Sequence, residues 1–176
     1  MTVPSLIASA DTIRLTSNWL RSMKGVESCC FWFGQRPAEG AAVVAAVVVP
    51  RQRNNQGHYF VEPSAMIDVA NVARPRGWKN LAQIHSHPGD WVSHSGYDDE
   101  MANSRRALSL IYPNYGHVPG MWRYRGWIAR LWPAALPAEI GVTAFLDDRW
   151  QRLDQPSANL AVTIGSVPPP KLIDLR

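Results

Sequence analysis

The residues best suited to chemistry are two histidines one residue apart, His85 and His87, followed after Pro88 and a short loop by Ser95 and Asp98. Side chains alternate faces along a strand, so histidines at i and i+2 project to one side, where both imidazoles can grip a single ion. Asp98, in the first turn of the helix that Ser95 is placed to cap, adds a carboxylate to the set. Two histidines and one carboxylate leave a fourth position open on a tetrahedral ion. That is the coordination of catalytic zinc, which makes water acidic enough to supply hydroxide near neutral pH; a structural ion is closed by a fourth protein ligand. A lone strand histidine is more often a packing residue, and the cluster Asp98, Asp99 and Glu100 alone would only complement a helix dipole. The joint spacing is what points to a metal.

These residues need elements to hold them. Residues 81–85 read as a strand that enters a loop at Pro88 and Gly89, and residues 108–112 return as a strand. Upstream, residues 12–16 alternate like a short strand, with Ser17 as N-cap of a helix over 18–24 that Gly25 ends. Residues 26–33 and 42–49 are apolar, β-branched or aromatic runs parted by Gly34, Pro37 and Gly40, a hairpin of buried strands. A short strand at 59–61 precedes a helix capped by Ser64 and stopped by Pro75. Residues 121–132 alternate aromatic and basic side chains, as a curved edge hairpin would, and 140–146 with 150–153 form a last hairpin. The division expected is one domain over 1–165 and a Pro-rich tail over 166–176, extended or mobile.

Composition bounds the function. A chain of 176 residues, 46% apolar and 18% charged, is a folded globule of one domain. Its longest apolar run, residues 41–50, falls short of the roughly 20 residues that cross a bilayer, and no secretory pattern is read. The two cysteines, Cys29 and Cys30, are neighbours and cannot staple distant segments, so a reducing cytoplasm is the expected location. The net charge of +4 is dispersed in ones and twos along the chain, so nucleic acid is not the expected partner and a solvated basic face, or an acidic protein partner, is.

The pattern of a glutamate, a variable gap, His-Ser-His, seven residues, Ser, two residues and Asp resembles the JAMM metalloproteases, also called MPN-plus or JAB. The resemblance covers the first two thirds of the chain. It implies an α/β fold with a curved mixed β-sheet flanked by helices, of the cytidine-deaminase-like JAB/MPN architecture. It also implies one catalytic Zn2+ held by His85, His87 and Asp98, with Ser95 bonding the developing oxyanion. Family members carry the glutamate ahead of an apolar run ending in Gly, which matches Glu27 before Gly34 better than Glu39 or Glu62. Glu27 is then the general base. The implied activity is an isopeptidase or peptidase acting after the tail of a ubiquitin-like modifier. Its partners would be that protein and its conjugates, with activating-like and conjugating-like enzymes, as in bacterial antiphage systems. Maturation of a sulfur-carrier protein, a phage-tail or cell-wall peptidase, and a non-catalytic scaffold are the alternatives. His58, His94 and His117 lack ligand spacing, although His94 sits where substrate could touch it. Residues 58–78 and 113–140 are the expected recognition segments.

Overall fold

Residues 29–49 are apolar at almost every position outside one turn, and such a run satisfies its backbone as paired strands covered on both faces. The computed structural model describes residues 3–102, 104–124 and 135–176. In chain order its elements are β1 (Leu6–Ala8), α1 (Ala10–Ser22), β2 (Cys29–Gln35), β3 (Ala42–Val49), β4 (Arg53–Asn54), β5 (Tyr59–Phe60), α2 (Pro63–Ala73) and β6 (Lys79–Ser86). There follow α3 (Gly96–Met101), β7 (Leu108–Tyr112), β8 (Gly141–Leu146), β9 (Arg149–Arg152), α4 (Gln155–Ala161), β10 (Val162–Ile164) and β11 (Lys171–Asp174). The main sheet runs β10-β1-β3-β2-β6-β7-β8-β9, with β11 also paired to β3. It is mixed: β2 is antiparallel to β3 and β6, whereas β6 and β7 are parallel. The α/β class and the mixed sheet with flanking helices are as the resemblance implied.

Alternation along β2 builds a core on each face. Cys30 and Trp32 join Ile13 and Leu20 of α1, while Cys29, Phe31 and Phe33 join Val69 and Ala73 of α2. Both cysteines are therefore buried packing residues with free thiols. Burial pushes both thiols up, which leaves them un-ionised and unreactive.

Several expectations need correction. Residues 12–16 are not a strand but the interior of α1. Ser9 caps that helix, its Oγ accepting from the Thr12 N–H at 3.1 Å, and Ile13, Thr16, Trp19 and Leu20 bury at helical spacing. Five residues are too few to separate a period of 2 from one of 3.6. Ser17 is no cap; its hydroxyl donates to the Gly116 carbonyl at 2.7 Å. Glu62, not Ser64, occupies the N-cap position of α2, and Pro63 supplies the pre-set first turn. The C-terminal segment is extended, as expected, and its β11 pairs with Ala46 to Val49 of β3. The helix α4 was not anticipated. Of the hairpin expected over 121–132, residues up to Tyr124 are 3-10 turn, and 125–134 lie outside the described residues. No described helix is long and apolar enough to cross a membrane.

One contact ties the sheet to the loop after β6. A Cβ at Gly141 of β8 would lie 2.0 Å from the Val92 carbonyl oxygen, so the loop rests directly on the β8 backbone. Gly141→Ala forces them apart and should cost about 2–3 kcal/mol, a fall in Tm of about 5–10 °C. An unchanged melting curve would show that the loop is not seated there.

Candidate metal centre

His85 lies at the end of β6 with its ring at 0% exposure, and His87 follows just beyond the strand. The backbone of His87 is fixed from both sides: its N–H donates to Tyr112 O at 2.9 Å and its carbonyl accepts from Tyr115 N–H at 2.8 Å. Asp98 is the third residue of α3, where Ser95 forms a reciprocal cap. The Ser95 N–H and hydroxyl both donate to Asp98 Oδ2 at 2.7 Å, and Asp98 N–H donates to Ser95 Oγ at 3.2 Å. The cap expected of Ser95 is present, and its hydroxyl proton lies on Asp98.

The three side chains converge. His85 Nε2 lies 3.1 Å from His87 Nε2 and 3.2 Å from Asp98 Oδ1, and His87 Nε2 lies 3.4 Å from Asp98 Oδ2. Ligands bonded at about 2.0–2.1 Å in tetrahedral directions stand about 3.3 Å apart; the two histidine nitrogens have that spacing, and each has it to one of the two Asp98 oxygens, so these residues suit a zinc-sized ion. It is the metal-competent cluster of His, Cys, Asp and Glu found among the described residues. The charges agree. Burial holds His85 below its ordinary pKa, leaving a neutral imidazole. Burial acts against Asp98 ionising, yet the two histidines and Ser95 outweigh it and hold the carboxyl far below its usual range. His87 is held somewhat above its ordinary value, since Asp98, the Trp91 carbonyl and Glu27 outweigh burial.

Glu27 stands two residues ahead of β2, not on the strand itself, and only 7% of it is exposed. It lines a cavity of about 560 Å³ with His87, Asp98, Ser95, Trp91, Tyr97 and others. Burial pushes its carboxyl up to about 7, His87 pulling it down by less and the Asp98 charge adding the smallest push up. The sequence therefore pointed to five residues that do meet, four on the cavity wall and His85 beneath it.

Three further residues at the site were not anticipated by spacing. Trp91 stacks on the His87 ring at 5.4 Å, and its carbonyl lies 2.9 Å from His87 Nδ1. A carbonyl only accepts, so Nδ1 carries the proton and Nε2 keeps the lone pair that binds metal. Tyr97 and His58 pair edge-to-face at 6.0 Å and border the same cavity. Trp91 stands in a loop and Tyr97 is the second residue of α3, and a single aromatic at such a position carries no periodic signal that would mark it. His58 belongs to the first expected recognition segment; among the described residues, none that lines the cavity comes from 113–140. His94 does not line the cavity. Its Nδ1 lies 2.8 Å from Asp99 Oδ1 and its Nε2 2.7 Å from Ser109 Oγ, so it bridges α3 to β7 beside the His85 ring.

Comparison with known proteins follows the same outline. Residues 9–126 match the family of prokaryotic homologues of the JAB domain, a span that holds all five site residues. The chain is 34% identical over 117 residues to the "Probable metalloprotease y4jG" of Sinorhizobium fredii, covering 62% of this chain and 71% of that protein. Its fold is similar to the solution structure of a Desulfitobacterium hafniense protein, with TM-score 0.61 and 16% identity over 92% of this chain and 94% of that one. A Salinibacter ruber protein solved in solution gives TM-score 0.55 at 15% identity, covering 92% of each chain.

Two outcomes are expected. Chelator competition should find one ion per chain, lost in His85→Ala and bound about 10–100-fold more weakly in His94→Ala, which loses the bridge from α3, the helix that carries Asp98, to β7, the strand beside β6; unchanged affinity in the second variant would remove His94 from the site. The other concerns Glu27 in the metal-free protein. Its folded pKa of about 7 exceeds the ordinary 4.5, so its stabilising contribution is complete below about pH 4.5 and is lost as pH rises through about 7. Glu27→Gln should match wild type at low pH and exceed it at pH 8 by about 1–2 kcal/mol in chemical denaturation, after allowance for solvent screening. Parallel pH profiles would contradict a buried carboxyl.

Proposed function

The chain belongs to the family of prokaryotic homologues of the JAB domain, and from that premise we propose that it is a zinc-dependent peptidase cleaving after the C-terminal tail of a ubiquitin-like modifier. The bond is the isopeptide to a target lysine or the peptide bond to a C-terminal extension. The observation that carries this reading is the convergence of His85, His87 and Asp98 at a cavity that the buried Glu27 also lines. The relative's name, a metalloprotease, supports the reaction class. A cytoplasmic setting is proposed, with the modifier's conjugates and its activating-like and conjugating-like enzymes as partners.

Zinc bound by these three residues supplies Lewis acidity, making water acidic near neutral pH and polarising a carbonyl. The chain's own groups do the rest. Glu27 takes a proton from the attacking water on its carboxylate and returns it to the leaving nitrogen. The Ser95 hydroxyl, on release of its proton contact with Asp98 Oδ2, turns to donate to the oxyanion; such a donor contributes on the order of a hundredfold in rate. Gly57 and Gly89 line the cavity with bare backbone, and Trp91 and Tyr97 wall it with aromatic surface.

A ubiquitin-like protein fused through its C-terminus to a reporter provides the test, read by intact mass. Zinc-loaded wild type should cut once, directly after the modifier's tail. Chelation should stop cleavage, and Glu27→Ala should slow it by about 10²–10⁴-fold. Equal rates for Glu27→Ala and wild type, or no cleavage across several modifiers, would contradict the proposal.

A further inference from the structure

The geometry points to Gln52 and Asn54 as positioning residues for Glu27: we propose that their side-chain amides form a clasp in the place of a missing strand and so set where the Glu27 carboxylate stands. This rests on the reading of Glu27 as the proton-transferring residue.

The backbone around Glu27 has a strand on one edge only. On the β6 side Cys29 pairs with His85, Ser86 N–H donates to Ser28 O at 3.1 Å, and Ser28 N–H donates to Ser86 Oγ at 3.3 Å. On the other side β3 ends at Val49, and its last pairing with β2 is Phe31 with Val48. The chain then turns away at Pro50. Residues 27–29 would be left with unpaired backbone groups in a buried setting, since Ser28 and Cys29 are at 0% exposure, and such groups are costly.

The amides supply what the strand does not. Gln52 Oε1 accepts from Cys29 N–H and Gln52 Nε2 donates to Cys29 O, both at 2.8 Å, the pair of bonds a strand neighbour would make. Asn54 Nδ2 donates to Glu27 O at 2.5 Å and to Gln52 Oε1 at 2.9 Å, with Ser28 Oγ also in reach at 3.1 Å. Asn55 O accepts from Glu27 N–H at 2.8 Å. The same turn continues into Gly57 and His58 on the cavity wall. Glu27 is thus held between the strand that carries His85 and a clasp that belongs to the cavity rim.

The test uses the zinc-loaded full chain and the modifier–reporter fusion. Gln52→Ala and Asn54→Ala should each lower kcat by about 10–100-fold, with KM and zinc affinity within about twofold. In the Glu27→Ala background the same changes should alter the residual rate less than about twofold, because the clasp acts only through Glu27. A readout free of any substrate is amide exchange in the metal-free protein, where Gln52→Ala should speed Cys29 N–H exchange at least about tenfold while Leu110 is unchanged. Should Gln52→Ala not fold, Gln52→Glu keeps the acceptor and loses the donor, and an intermediate fall in kcat is expected. Unchanged exchange, a full wild-type rate, or losses that add to Glu27→Ala would each overturn the clasp. If Glu27→Ala itself keeps the wild-type rate, the base reading falls and the positioning claim falls with it.

Discussion

Burying the Asp98 carboxylate beside His85 and His87 places one negative charge and two nitrogen donors within 3.1–3.4 Å of one another, at 0–5% exposure. An isolated carboxylate withdrawn from water costs several kcal/mol unless its charge is met. Ser95 meets half of the need by donating twice to Oδ2. Oδ1 is left facing His85, which burial keeps neutral. A divalent cation held there would answer the remaining charge and use all three donors at once, which would couple metal binding to folding of the site.

Everything around this point holds the donors in register. The parallel pair β6–β7 fixes His85 opposite Ile111, and the cap at Ser95 aims Asp98 back toward the strand end. The loop between them has little secondary structure of its own. It is held by its seat on Gly141, by the His94 bridge and by the bond from His87 Nδ1 to Trp91 O. On the far side of the cavity Glu27 is an acid two residues before a strand, fixed by side-chain amides. Precision at a site that joins a strand end, a loop and a helix start thus comes from a few specific contacts laid over a rigid sheet.

The site was more legible in the sequence than the fold was. Ligand chemistry demands particular residue types at particular spacings, and His85, His87 and Asp98 satisfy it in one short stretch that Ser95 caps, whereas Glu27 was placed only by the family resemblance. The central strands were equally plain, because Ala42–Val49 is β-branched and apolar almost throughout. Local ambiguity undid other readings. Residues 12–16 suit either period until Ser9 is seen to cap the helix. The pairing of β11 with β3 joins segments more than a hundred residues apart, so no local pattern announces it. Nor could spacing disclose Trp91, the His94 bridge or the Gln52–Asn54 clasp, whose roles arise only once loops close against strands.

If His85, His87 and Asp98 bind one zinc ion, the X-ray absorption spectrum of the zinc-loaded protein at the zinc edge should show a four-coordinate ion with two imidazole nitrogens and oxygen ligands at about 2.0–2.2 Å, and His87→Ala should lose one imidazole contribution. A shell of oxygens without imidazole scattering, or a spectrum indifferent to His87, would contradict it.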